Sequence, residues 1–207
     1  MARKPREQRE RAVEVIERAR AYDGYFRVER YRLRHALFAG GMGRPITREV
    51  FERGHAAAVL PYDPARDEVV LIEQFRIGAF AGERDPWLVE IIAGIMPPHE
   101  APEAVARREA LEEAGCTIGR MEKIADVIVS PGGCTEIVAL YCGEVSTQGV
   151  DGVHGLADEG EDIRVQVVDA AAAFEMVRTG AIYSAPPVIA LQWLALNRVA
   201  LRRQWSA

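Results

Sequence analysis

Along the 207-residue chain the spacing of apolar positions changes several times, and each change marks an element. In residues 25–38, YFRVERYRLRHALF, the apolar Phe26, Val28, Tyr31, Leu33 and Leu37 interleave with arginines. That alternation predicts one or two strands with a wet face. Gly40, Gly41 and Gly43 mark a turn, and a return strand runs from Ile46 to Phe51. From His55 the apolar runs become continuous. AAAVLPYD and EVVLIEQF read as buried strands, joined as a hairpin through Pro64, Ala65, Arg66 and Asp67. Residues 87–93, WLVEIIA, form a third strand running into Gly94, and further strands cover 124–129, 137–141 and 163–168.

Other stretches carry helical signals. Residues 5–21 are densely charged, with Val13, Val15 and Ile16 as their apolar contribution, and predict an N-terminal helix. Pro102 suits a first helical position and Gly115 the residue just past a helix end, with alanines, leucine, arginines and glutamates between them. A helix over 169–178 stops at Gly180. A last one starts near Pro186, preceded by Ser184, with Val188, Ile189, Leu191, Trp193, Leu194 and Leu196 on a broad apolar face. Mixed strands with helices before and after give an α+β fold, an α/β/α sandwich. Residues 1–54 read as a helix and small β unit, and residues 55–207 as the main domain.

Composition narrows the function. Hydrophobic residues make up 49% of the chain, enough for a substantial core. The net charge of −5 argues against a general nucleic-acid binder. It also means that an anionic substrate must be met by local arginines or metal ions. Cys116, Cys134 and Cys142 match no zinc spacing and fit reduced cysteines in the cytosol. The charged N-terminus does not read as a signal peptide, and no run approaches the ~20 apolar residues of a membrane span. The expected location is cytoplasmic.

The stretch from Gly94 to Cys116 carries the chemistry. In the helix after Pro102, Glu109, Glu112 and Glu113 lie in the C-terminal half, where the macrodipole favours cations. Glu109 and Glu113 share a face and repel by roughly 0.2–0.5 kcal/mol, while Arg108 reaches Glu112 at the same spacing. The surplus negative charge invites a divalent cation, and carboxylate oxygens suit Mg²⁺ or Mn²⁺ better than zinc.

Gly94, five residues, Glu100, seven residues, then Arg108-Glu109-Ala110-Leu111-Glu112-Glu113-Ala114-Gly115-Cys116 resembles the signature of the Nudix hydrolase superfamily. Ala110 and Cys116 stand where larger aliphatic residues are usual. Four further stretches are similar to the bacterial ADP-ribose pyrophosphatase branch. They are residues 51–55 (FERGH), 73–76 (EQFR), 130–133 (SPGG) with Glu136, and 155–162 (GLADEGED). A proline some fifteen residues beyond the signature, here Pro131, is typical of ADP-ribose-selective members.

The resemblance implies a mixed sheet between helices and Mg²⁺-dependent hydrolysis of ADP-ribose to AMP and ribose 5-phosphate, with Mn²⁺ as a possible substitute. It implies metal ligands at Glu109, Glu113, Glu161 and the carbonyl of Ala93, with Glu112 as a ligand or a supporting partner. Arg108 would orient a neighbouring glutamate, and Glu159 would be the base that activates water. Substrate contacts fall to Arg53, Arg76, Arg48, Glu49, Ser130, Pro131, Gly132 and Glu136, with Tyr25 and Phe26 stacking on adenine. The N-terminal β unit would exchange onto a partner in a homodimer. Two other readings stand beside this one: a nucleotide-sugar pyrophosphatase of the GDP-mannose type, and a non-catalytic nucleotide sensor on the same fold.

Overall fold

The computed structural model describes residues 12–156, 158 and 160–205. The chain divides into two compact units, residues 1–53 with 130–136, and residues 54–129 with 137–207.

The first unit is an antiparallel sheet of β1 (Val13–Asp23), β2 (Arg27–His35) and β3 (Ile46–Glu52), in that order. Residues 130–136 close against β3: the Phe51 N–H donates to the Gly133 carbonyl at 2.7 Å, and the Thr135 hydroxyl donates to Glu52 at 2.7 Å. The helix expected over 5–21 is not formed in the described part, where residues 13–23 are strand. Its first residues, 5–11, lie outside the described residues. The physical reason is cross-strand pairing. Arg34 binds Glu14 across β1 and β2, and Arg18 and Arg20 reach Glu29, so the charged residues pair between strands instead of along a helix. Two register shifts in β1, at Val15/Glu17 and Arg20/Tyr22, break the two-residue alternation and hide the strand from a periodicity reading.

The second unit is built on a mixed sheet. Its main path runs β10 (Val153–His154), β11 (Ile163–Asp169), β5 (Glu68–Phe75), β4 (Ala56–Asp63), β9 (Ile137–Glu144), β8 (Met121–Ile128). β4 and β9 are parallel and the other pairs antiparallel. β6 (Trp87–Glu90) pairs with β5, and β7 (Ile92–Ile95) pairs with β4. The stretch read as one strand over 87–93 is therefore two, broken at Ile91. It crosses from β5 to β4 where those strands are no longer paired with each other. Pro61 falls at the same switch, between the β4 residues paired to β7 and those paired to β5, where that side of the ladder requires no donor.

Helix α2 (Pro102–Ala114) covers one face of the sheet, and α3 (Ala170–Thr179) and α4 (Ala185–Trp205) cover the other. A short α1 (Ile77–Ala81), too brief to show a period, follows β5. Alternation along β4 sorts the core: Ala57 and Val59 pack with α2, and Ala58 and Leu60 with α3 and α4. Among the described residues no helix is long and apolar enough to cross a membrane.

Candidate active site

Small side chains set the position of α2. Ala106, Ala110 and Ala114 are buried with Val105 against Ala57, Val59 and Ile92, so the helix lies close to β4 and β7. Gly115 ends it in the left-handed region at φ 61°. The Cys116 N–H returns to the Ala110 carbonyl at 2.8 Å and the Gly115 N–H to Leu111 at 3.0 Å, a glycine-terminated helix end. No basic residue occupies the last turn, so the carboxylates there meet the negative end of the helix, and Glu112 finds its counter-ion one turn earlier, at Arg108.

Glu113 belongs to the buried face of α2, at 3% exposure. One oxygen accepts the Ala93 N–H at 3.1 Å. Burial pushes its carboxyl up to about 8; the charges of Glu109 and Glu161 push the same way, while the Ala93 N–H and Arg76 oppose them. Glu109 is also raised, chiefly by burial, with Arg108 opposing and Glu112 and Glu161 adding to the rise. A Cβ on Gly94 would lie 1.9 Å from the Glu109 carboxylate oxygen, so only glycine leaves room for this side chain against β7.

Arg108 gathers the other signature carboxylates, standing 2.9 Å from Glu109, 2.8 Å from Glu112 and 3.6 Å from Glu100. Arg76 donates from Nε to Glu90 at 2.6 Å. Glu161 accepts the Leu156 N–H at 3.0 Å, which ties it into its loop. Glu159 lies outside the described residues.

The remaining predicted residues lie in the first unit. Glu136 is buried and paired with Arg53 at 3.0 Å. Arg53 stands 5.7 Å over the Phe26 ring, which packs edge-on against Phe51 at 5.1 Å. Tyr25 is 87% exposed. Arg48 donates to the Thr47 carbonyl at 2.8 Å, and Glu49 stands opposite Arg30 in the sheet. The Ser130 carbonyl accepts the N–H groups of Gly133 and Cys134, leaving Pro131 and Gly132 exposed at the tip of a turn.

Residues 52–191 match the NUDIX domain model. The chain belongs to the NUDIX family. It is 50% identical over 194 residues to the ADP-ribose pyrophosphatase of Escherichia coli strain K12, covering 94% of this chain and 93% of that protein. It is 38% identical over 152 residues to the GDP-mannose pyrophosphatase of Enterobacter sp. strain 638, covering 72% of this chain and 78% of that one. The crystal structure of an ADP compounds hydrolase aligns over 95% of each chain with a TM-score of 0.64 at 20% identity, which shows the fold.

NUDIX hydrolases generally need divalent metal ions. Among the described residues no group of three His, Cys, Asp or Glu side chains is gathered closely enough to hold a metal ion. Arg108 instead draws Glu109 and Glu112 to itself. The chemistry nonetheless fits a hard cation. Glu109, Glu113 and Glu161 offer only oxygen, Glu161 raises the carboxyls of both Glu109 and Glu113, and Gly94 leaves the Glu109 head group the space it occupies.

Sequence reasoning passed over Glu90. It is a carboxylate in an otherwise apolar strand, WLVEIIA, and that interruption of a continuous run was the available signal.

Proposed function

We propose that this NUDIX hydrolase cleaves the pyrophosphate bond of ADP-ribose to AMP and ribose 5-phosphate, with Mg²⁺ as its metal and Mn²⁺ as a substitute. The observation that carries the substrate is the extent of similarity. Identity to the E. coli ADP-ribose pyrophosphatase runs over 94% of the chain, against 72% for the GDP-mannose enzyme.

Pyrophosphate oxygens repel an attacking nucleophile, so charge must be neutralised where the bond breaks. Glu109, Glu113, Glu161 and the Ala93 carbonyl would hold the metal, which when bound supplies that neutralisation and acidifies water. Arg108 holds Glu109 and Glu112 in place through its two close ion pairs. Glu159 takes the proton of the attacking water as the P–O bond to that water forms and the bond to the bridging oxygen breaks. Substrate contacts are proposed for Arg76 in the second unit and for Tyr25, Phe26, Arg48, Glu49, Arg53, Ser130, Pro131, Gly132 and Glu136 in the first. A homodimer with an exchanged N-terminal unit goes with this reading. Its support is the exposed Val13, Val15, Ile16, Tyr22 and Tyr25, apolar surface that a three-stranded sheet leaves uncovered. A cytoplasmic location agrees with three cysteines that form no disulfide.

The test is a hydrolysis panel with Mg²⁺: ADP-ribose, GDP-mannose, NADH, diadenosine polyphosphates and oxidised dGTP. Equimolar AMP and ribose 5-phosphate from ADP-ribose, at the highest kcat/KM of the panel, is the expected result. No turnover of ADP-ribose overturns the substrate. Glu159→Gln should abolish most turnover while metal affinity stays near wild type; collapse of metal affinity would make Glu159 a ligand instead of the base.

A further inference from the structure

Glu90 and Arg76 lie in the second unit, on the α2 side of the sheet. Glu90 stands opposite Ile72 in the antiparallel β5–β6 pair, and Leu88 stands opposite Gln74. Residues directly opposite in such a pair project to the same face. Ile72 is packed beneath α2, so Glu90 shares that face. Gln74 and Arg76 follow Ile72 at the two-residue period of an extended chain, which Arg76 continues at φ −125°, ψ 109°. The backbone at Arg76 is anchored by its N–H to the Pro86 carbonyl at 2.7 Å. Its positive charge is felt at Glu113.

Two features of this face call for a polar guest. The Gln74 amide nitrogen is buried and has no partner among the described residues, an arrangement that costs free energy unless a ligand or water accepts from it. The second is Glu90 itself. A carboxylate next to an arginine offered to a phosphate repels that phosphate. It is tolerable here because it accepts from Arg76 at 2.6 Å, with its side chain only 13% exposed. Arg76 uses one of its five N–H donors in that bond and keeps its side chain 42% exposed.

We propose that Glu90 is a positioning residue: by holding Arg76 through Nε, it aims the remaining N–H donors at a phosphate oxygen of the substrate. The inference rests on the diphosphate hydrolase reading above and deepens it. A planar guanidinium held at one edge presents a fixed fork, whereas an unheld one must be ordered at each binding event. The role therefore belongs to binding, and it makes a prediction opposite to that of simple charge. Removing a negative charge near an anion should by itself tighten binding, while releasing Arg76 weakens it.

The measurement is a double-mutant cycle on the full-length protein with saturating Mg²⁺, reading KM and kcat separately for wild type, Glu90→Gln, Arg76→Ala and the double variant. Glu90→Gln should raise KM about tenfold and leave kcat within about twofold. Arg76→Ala should raise KM at least as much, and the double variant should match Arg76→Ala alone. A KM that is unchanged or lower in Glu90→Gln overturns the proposal, and so do effects that multiply in the double variant. Should Glu90→Gln fail to fold, Arg76→Lys decides: it keeps the charge and loses the fork, so a raised KM supports positioning and a wild-type KM overturns it. If wild type leaves ADP-ribose intact, the substrate reading fails, and the same cycle is run on the diphosphate compound of the panel that wild type does hydrolyse.

Discussion

Glu113 and Asp63 are almost equally buried carboxylates, at 3% and 4% exposure, with opposite chemistry. Asp63 ends β4. One of its oxygens accepts the Ala65 and Arg66 N–H groups at 2.9 and 3.0 Å; the other accepts the Thr147 N–H at 2.9 Å and hydroxyl at 3.1 Å. Burial alone would raise this carboxyl, but the donors from Thr147, Arg66 and Ala65 outweigh it and hold Asp63 below the ordinary aspartate range. Glu113 accepts one backbone N–H and faces two other carboxylates, and it rises to about 8. Exposure is shared; Glu113 is packed deeper in the protein and has fewer donors. A buried acid with a full set of donors closes a turn and joins two loops. A buried acid with one donor stays in electrostatic deficit, and a cation can relieve that deficit.

The contrast should be sharpest in activity. Glu113→Gln removes a proposed metal oxygen and should lower kcat by about two to four orders of magnitude, while metal-free thermal melting shows a fold at least as stable as wild type. Activity near wild type would remove Glu113 from the metal site. Asp63→Asn should do the reverse. It sets an amide N–H₂ against existing donors and should lower unfolding free energy by about 2–4 kcal/mol, with kcat per folded molecule little changed.

The two acids also respond to pH with opposite sign. Glu113 has a folded value raised above its ordinary 4.5. Metal-free stability from this group is therefore greatest below that value, falls as pH rises toward about 8, and levels off above it. Asp63 has a depressed folded value, so its contribution is present above the unfolded aspartate value and is lost as pH falls through the folded one. Urea unfolding of wild type and Glu113→Gln across this range should show the variant gaining on wild type as pH rises. Added Mg²⁺ should stabilise wild type more at pH 8 than at pH 6, since metal and proton compete for the same oxygens. A metal-induced shift independent of pH would break the comparison. The smallest effect is expected from Thr147→Val, which removes one hydroxyl donor and should cost about 1 kcal/mol in the same unfolding assay.

Much of the fold was legible because its signals are local. Pro102 and Gly115 bound α2 as expected, and Gly180 ends α3. The hairpin at Pro64–Asp67 joins β4 and β5 where the apolar runs placed it. β1 was misread because its charged residues are good helix formers and its two register shifts spoil the alternation. Their partners in β2 are what make it a strand. Asp63 stands only as the last residue of the run AAAVLPYD; its second pair of donors comes from Thr147, 84 positions away.

The sequence by itself determined the family, the signature helix and the identity of its carboxylates, since Gly94, Glu100, Arg108, Glu109, Glu112 and Glu113 stand at spacings that the chain displays directly. Tertiary structure alone decided which of those acids is strained and which polar groups meet. Solvation depends on neighbours brought in by the fold: the Ala93 N–H under Glu113, Glu161 from a distant loop, and Glu90 beneath Arg76. A residue's identity specifies its charge, but the cost of that charge is set by how deeply the fold buries it and how many donors it places around it.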